Sequence, residues 1–431
     1  MENRFWFPKQ HAGKIHVTTN GCSENRMDGA KMESFFRMNR WPVTAHIKDA
    51  DIILFNACGL TLEREDHSLA VLTDIHARKK PSAEVILCGC LPAINPKRAR
   101  NAHSGKIITG EMETRLETLF EADTPCHGIT ANYLLPEWRF PLTGRRMAHM
   151  IGKEKIWPDK VQKALHEILT GRSARKNVAI SGPNTHSIKI STGCLDNCAF
   201  CGVRIRRGRV KSKPESDIMD EFLQGLKSGF RTFACIGTDI GAYGRDRSTN
   251  LSTLLEKIIG HSQDIRMNLP NINPRWLKPM LPEIKKIVQT GKIGVIGTSL
   301  QSGSDRILNL MNRKYTVADY VEIVATLKKA WPGLHIMSTV IVGYPGETDA
   351  DFQQTVEVLH RLPLTWAYIH RYSPRPEALG QMPEHPTPED VIDKRYRFLN
   401  QMFYDKLLKH KCKAIINIPH KLGEKRYGSC T

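Results

Sequence analysis

Residues 191–202, STGCLDNCAFCG, set Cys194, Cys198 and Cys201 in a C-x3-C-x2-C loop directly behind SIKIS (187–191), an apolar run that reads as a buried strand. Iron–sulfur clusters are held by cysteine thiolates, and three thiols in so tight a loop can bind three irons of a cubane. The fourth iron is then open to a substrate or cofactor. Zinc is the rival, but structural zinc wants four closed ligands. His186, upstream of the loop, is a side chain able to supply the fourth. Spacing and position behind a strand favour the cluster.

Working outward, strand-like runs continue at TFACIG (232–237), IRMNL (265–269), IGVIGTSL (293–300), HIMSTVIV (335–342) and WAYIH (366–370), with helical stretches between them. Ile218, Met219, Phe222, Leu223 and Leu226 make one apolar stripe, and Gly229 follows as a C-cap. Six such units over 186–376 predict an open, partial (β/α)6 barrel of the TIM type, with function at the strands' carboxyl ends.

Residues 1–110 alternate in the same way. KIHVTT (14–19), DIILF (51–55), EVILC (84–88) and KIITG (106–110) suit buried parallel strands, with helices expected over Asn25–Met38 and Thr61–Lys80. The fold class is therefore α/β, a doubly wound parallel-sheet domain followed by the barrel. Cys22, Cys58 and Cys90 each fall just past the carboxyl end of a successive strand, where ligands of open α/β sheets collect. They can converge as a second cluster site; the alternative is three unrelated buried thiols, as Cys88 and Cys235 inside strands would be.

Segment 111–185 reads as an insertion or linker, partly helical, with VQKALHEIL (161–169) its clearest helix. Residues 377–431 read as a helical, basic C-terminal extension. Thr387-Pro388-Glu389-Asp390 opens a helix expected to reach about Lys411, and IINI (415–418) is one short strand at most.

At 431 residues the chain exceeds one ordinary core, and 40% hydrophobic with 25% charged residues is a globular composition. No apolar run approaches the ~18 residues that a membrane span needs. MENRFWFPKQHAGK (1–14) lacks the apolar region of a secretory signal, so the expected compartment is the reducing cytoplasm. Eleven cysteines there point to metal or redox ligands rather than disulfides. The net charge of +19 suits a polyanionic partner, nucleic acid first, and equally a solvated basic surface.

GCLDNCAFC (193–201), RRG (206–208), IGTDIGAYGRD (236–246), SLQSGSDRILNLMNRKY (299–315), VGYPGET (342–348) and RYSPRPEA (371–378) follow a domain with cysteines at those three places. In that order they resemble the radical S-adenosylmethionine methylthiotransferase family, over about 14–110 and 186–376. The resemblance implies two [4Fe-4S] clusters, one on Cys194, Cys198 and Cys201 and an auxiliary one on Cys22, Cys58 and Cys90. It implies two S-adenosylmethionine molecules: one methylates a sulfur on the auxiliary cluster, the other yields the radical that activates a substrate C–H bond. Gly237, Asp239, Gln301, Ser302, Ser304 and Gly343 are then candidates for the S-adenosylmethionine pocket. Arg204, Arg206, Arg207 and Arg209 are candidates for substrate binding, and Arg204 stands where the family usually has proline. An external electron donor and a sulfur donor are implied as partners.

Typical members of the family end in a small RNA-binding β-barrel, and the residues after the expected C-terminal helix are too few for one. That weighs against tRNA adenosine and towards a peptide, protein or natural-product precursor, while the charge pulls back towards tRNA. Two other readings stay open: an auxiliary cluster that serves electron transfer, and a non-enzymatic iron–sulfur redox sensor that binds nucleic acid. The sequence assigns no role to Cys88, Cys126, Cys235, Cys412 or Cys430.

Overall fold

The computed structural model describes residues 7, 13–110, 112–138, 184–374 and 386–416. The helix expected at 161–169, most of the 111–185 segment and the end of RYSPRPEA lie outside them.

The first half is a parallel sheet of β1 (Ile15–Thr19), β2 (Ile52–Ala57), β3 (Glu84–Gly89) and β4 (Lys106–Ile107), in that order. Its helices are α1 (Ser23–Met38), α2 (Leu62–Arg78), α3 (Cys90–Ile94), α4 (Pro96–Ala102) and α5 (Met112–Leu119). Successive strand residues face opposite sides. Ile52 and Leu54 pack with Phe35 and Phe36 of α1, while Ile53 and Phe55 pack with Val71, Leu72 and Ile75 of α2. Helices therefore cover both faces. The geometry is possible because α1 returns the chain to the outer edge of β1, where Val43 bridges Ile15, before it crosses to β2. The fourth strand is shorter than KIITG suggests, since only Lys106 and Ile107 join the ladder.

The second half starts with β5 (Thr185–Lys189), then a two-stranded antiparallel clip of β6 (Ser191–Thr192) and β7 (Lys211–Ser212) around the short helix α6 (Val203–Arg207). It continues through α7 (Glu215–Lys227), β8 (Thr232–Ile236), α8 (Leu251–Gly260), β9 (Arg266–Ile272), α9 (Pro274–Leu277) and α10 (Leu281–Gln289). The last units are β10 (Ile293–Thr298), α11 (Asp305–Leu310), α12 (Val317–Ala330), β11 (His335–Val342), α13 (Asp349–Arg361) and β12 (Trp366–Arg371). The six long strands pair in parallel in the order β12-β11-β10-β9-β8-β5, an open partial barrel. Gly229 ends α7 with φ +86° as expected, but Leu223 is exposed and only Ile218 and Phe222 of the stripe are fully buried. The stripe is narrower than its composition suggests.

The C-terminal extension is part of the barrel rather than a tail. Helix α14 (Glu389–Ile416) runs past Lys411 and takes in Ile415 and Ile416, so IINI does not begin a strand. Ile392, Leu399 and Phe403 of α14 join the core that fills the barrel wall. Gly343, with φ +76°, passes so close to α14 that a Cβ would lie 2.3 Å from Ile392 Cγ1. Arg395 of α14 donates to Glu347 Oε2 at 2.7 Å, and both side chains are buried. Phe403→Ala should therefore cost about 3–5 kcal/mol in denaturant unfolding, and Phe398→Ala, whose ring is half exposed, about 1 kcal/mol or less.

Candidate active site at the domain junction

Cys22 is the N-cap residue of α1, Cys58 directly follows β2, and Cys90 opens α3 directly after β3. The three thiols sit side by side because their strands do, and each is close enough to feel the others' charge. Buried asparagines hold their loops. Asn20 Oδ1 accepts from the Cys58 backbone N–H at 2.9 Å and its amide donates to Ser68 Oγ, which in turn donates to the Cys58 carbonyl. Asn25 Nδ2 donates to Asn56 Oδ1 at 2.8 Å, and Asn56 Nδ2 donates back to the Asn25 carbonyl. Gly89, φ +96°, leaves room for that pair: a Cβ would meet Asn56 Oδ1 at 2.3 Å.

Across the junction, the 193–210 loop is closed by the Cys194 N–H donating to the Gly208 carbonyl at 3.2 Å and by Cys201 N–H to the Cys198 carbonyl at 3.1 Å. Gly193 has φ +80°, and a Cβ there would stand 2.1 Å from the Arg209 carbonyl oxygen. The loop is also tied to the segment behind α11: Ala199 N–H donates to the Met311 carbonyl, and Asn312 Nδ2 to the Asn197 carbonyl at 2.7 Å.

The two halves meet through buried charge. Glu24, in the first turn of α1, accepts from Thr192 Oγ1 and from Thr238 Oγ1, each at 2.9 Å. Thr238 Oγ1 also accepts the Gly193 N–H at 3.1 Å, so one carboxylate near Cys22 reaches the residue before Cys194 through a single hydroxyl. Asp28, on the same face of α1 one turn later, takes Lys189 Nζ at 2.8 Å and Arg207 Nη1 at 2.5 Å. Burial alone would push the Asp28 carboxyl up, but Arg207 and Lys189 outweigh it and hold it well below the usual carboxylate range. Nearby, α3 packs on α6, so the Cys90 helix lies against the helix that follows Cys201.

Burial pushes the thiols up: Cys58 and Cys194 to about 12, Cys22 and Cys201 to about 11. Arg207 offsets part of this at Cys22 and Cys90, and Arg313 at Cys198. Thiols of this kind become thiolates when metal displaces their protons. Each set offers three soft donors, which suits iron–sulfur chemistry. Among the described residues no three His, Cys, Asp or Glu side chains are grouped as ligands of one metal ion. His186 does not complete a zinc site; its ring packs against Phe230 at 5.1 Å and Phe233 at 5.6 Å, under Gly225 of α7. The residues fit three-thiol attachment of a cluster at each place.

The structure separates the residues expected around the cofactor. Gln301, at φ +65° between β10 and β11, keeps a buried Oε1 that has no partner among the described residues. Ser302 and Ser304 are committed elsewhere: Ser304 caps α11 and donates to Asp351 Oδ1 at 2.7 Å, and Ser302 Oγ accepts the Ser304 N–H. Asp239 Oδ1 accepts the Gly241 and Asn273 N–H groups and Oδ2 accepts Trp276 Nε1–H, so its carboxylate orders the ends of β8 and β9. Burial raises its pKa to about 6. A Cβ on Gly237 would meet Ser191, and one on Gly343 would meet Ile392 of α14. Of the four arginines expected at substrate, Arg207 is buried and spent on Asp28 and Glu24. Arg204 and Arg206 are half-buried and Arg209 is exposed. The sequence reading passed over Asn20, Glu24, Asn25, Asp28, Asn56, Thr192 and Thr238. The signal available was the crowding of polar residues in NGCSEN and FNAC, next to apolar strands that have no local use for them.

An open parallel barrel with a C-x3-C-x2-C loop behind its first strand defines the class of radical S-adenosylmethionine proteins. Residues 188–359 match the Radical SAM superfamily, and residues 14–110 match the uncharacterized protein family UPF0004. With both parts in this order, the chain belongs to the radical S-adenosylmethionine methylthiotransferase family. It is 29% identical over 96% of its length to the threonylcarbamoyladenosine tRNA methylthiotransferase of Homo sapiens, spanning 65% of that relative. It is 27% identical to threonylcarbamoyladenosine tRNA methylthiotransferase MtaB of Aquifex aeolicus, over 96% of this chain and 95% of that one. Among solved structures, the radical S-adenosylmethionine methyltransferase TsrM from Kitasatospora setae shares the fold, with a TM-score of 0.53 at 11% identity over 83% of this chain and 72% of that one.

The junction makes a direct prediction. Asp28→Asn leaves Arg207 without its closest partner and should cost about 3–5 kcal/mol in denaturant unfolding. A depressed carboxyl contributes above its unfolded pKa and loses that contribution as pH falls through its folded value. The gap between wild type and variant should therefore be full at pH 7 and shrink below about pH 4, where the unfolded chain takes up the proton.

Proposed function

We propose that this chain is a tRNA methylthiotransferase that replaces a hydrogen on a modified adenosine, of the threonylcarbamoyl class, by a methylthio group. The observation that carries the reading is the pair of three-thiol sets on adjacent loops, held together by Glu24 and Asp28. The relatives, threonylcarbamoyladenosine tRNA methylthiotransferases, support tRNA over a peptide, protein or natural-product precursor.

In this reading Cys194, Cys198 and Cys201 hold one [4Fe-4S] cluster, and Cys22, Cys58 and Cys90 hold the other. With S-adenosylmethionine bound, the clusters supply one-electron cleavage of that cofactor and the sulfur to be transferred. The protein's residues do the positioning. The asparagine pairs fix the first three loops, Gly193 and the clip of β6 and β7 fix the fourth, and Gln301 offers its amide to the cofactor. The Glu24 and Asp28 contacts keep both sets on one water-poor face, which a reactive species requires. Arg204, Arg206 and Arg209, on the segment that follows Cys201, are the candidates to meet phosphate. An external one-electron donor and a sulfur donor complete the reaction. The reducing cytoplasm, where the nine free cysteines among the described residues stay thiols, is its proposed place.

After anaerobic reconstitution the chain should carry about eight irons, and about four once either cysteine set is replaced by Ala. tRNA nucleosides from cells with the chain should show an added SCH2 mass on the threonylcarbamoyl nucleoside, absent from cells without it. Four irons in the wild type would sink the two-cluster assignment. If the Cys22, Cys58 and Cys90 to Ala variant still made the product, the sulfur-transfer role of that set would fall. A product found only on a peptide would remove tRNA as the substrate.

A further inference from the structure

Arg313 stands in the quoted stretch SLQSGSDRILNLMNRKY, and neither fold packing nor substrate binding accounts for where it sits. Its side chain is 8% exposed. Nη1 lies 3.1 Å from Cys198 Sγ, Nη2 donates to Asn273 Oδ1 at 3.0 Å, and Nε donates to the Tyr315 hydroxyl at 3.3 Å. The guanidinium also lies over the Tyr315 ring, 4.9 Å from its centroid. Tyr315 is fixed in turn by sharing its one O–H between the Ser299 and Leu300 carbonyls, both at 2.8 Å. Asn273 is held by its amide on Asp196, which Arg275 also neutralises. Every polar neighbour of Arg313 therefore aims it, and the group it is aimed at is a sulfur.

A buried arginine is costly unless its donors are met. Here a phenol oxygen, an amide oxygen and a thiol sulfur each take one of its three nitrogens, and no carboxylate accepts from it: Asp196 is taken by Arg275 and Asn273, and Asp239, whose charge Arg313 also feels, accepts from Gly241, Asn273 and Trp276. Of the three thiols of the loop, the cation is hydrogen-bonded to Cys198. Cys201 feels the same charge without a hydrogen bond to the guanidinium, and Cys194 receives the Asp196 backbone N–H at 3.4 Å. The loop is electrostatically lopsided, with its one strong donor at the middle cysteine.

We propose that Arg313 is a positioning residue that sets the reduction potential of the cluster held by Cys194, Cys198 and Cys201, by donating a charged hydrogen bond to the Cys198 sulfur. The inference rests on that cluster assignment. Reduction takes [4Fe-4S]2+ to [4Fe-4S]1+ with one electron from a low-potential external donor, and no bond breaks in that step. The added negative charge spreads over the sulfurs, so a cation and an N–H donor at Cys198 favour the reduced form and raise the potential. Charge-assisted hydrogen bonds in a dry site are about twice as strong as neutral ones.

The test is a redox titration of the reconstituted full chain, followed by electron paramagnetic resonance, in wild type, Arg313→Lys, Arg313→Gln and Arg313→Met. The signal of this cluster is identified by its change of shape when S-adenosylmethionine is added. At a fixed applied potential, Arg313→Met should lower the reduced-to-oxidised ratio about ten-fold, equal to about 59 mV for one electron. Arg313→Gln, which keeps an N–H without the charge, should fall between Met and wild type. Arg313→Lys should fall closer to wild type. Tyr315→Phe should move the same way as Arg313→Met but less, because it loosens the aim and keeps the charge. Equal ratios in all variants, at full iron content, would overturn the proposal. If Arg313→Met fails to hold iron, the Lys and Gln variants decide, and unchanged ratios in both overturn it. A wild-type chain with no signal that responds to S-adenosylmethionine would instead sink the cluster assignment beneath it.

Discussion

The structure depends on two carboxylates, Glu24 and Asp28, buried on one face of the helix that begins beside Cys22. Four partners come from the other half of the chain: Thr192 before the radical loop, Arg207 after it, Lys189 on the first barrel strand and Thr238 past the second. Carboxylates are costly to bury, and this pair is tolerable because every oxygen finds a cation or a hydroxyl of the opposite domain. Separating the domains would leave that charge unpaired in both halves. The same contacts fix the distance between the two cysteine sets, so the arrangement that holds the domains together is also the one that shapes the site.

Each half solves the same problem with different residues. A cluster site needs three thiols on loops that cannot wander, yet loops at strand ends have few backbone partners of their own. In the first domain buried amides supply the partners, with Asn20 on Cys58 and Asn25 against Asn56. In the barrel the radical loop is short enough to bond to itself, and the segment behind α11 clamps it from outside. Arginine then enters both sites from a distance: Arg207 near Cys22 and Cys90, Arg313 on Cys198. The Cys22, Cys58 and Cys90 set receives its cation from the barrel half, so the first half does not hold the complete electrostatics of its own thiols.

What was legible in the sequence was what repeats locally. Ten strands could be read from apolar runs such as DIILF and HIMSTVIV, and both cysteine sets from their place at strand ends. Residues whose role lies in a partner far along the chain were hidden. Asp28 looks like one more surface acid on α1 until Lys189 and Arg207 arrive from more than 150 residues away. Arg207 looks like part of a solvated basic run, because composition does not tell whether a side chain is already satisfied. Gly343 comes close to Ile392 of the C-terminal helix, a contact that spacing along the chain does not announce.

The central claim is that the two cysteine sets carry two clusters facing one another across a single junction. The most direct measurement is the electron paramagnetic resonance spectrum of the fully reduced chain, against spectra of the two variants in which one set is replaced by Ala. The account predicts a wild-type spectrum broadened by magnetic coupling between the clusters, different from the sum of the two single-cluster spectra, and a simple signal in each variant. A wild-type spectrum equal to that sum would place the clusters too far apart to share a site and would contradict it.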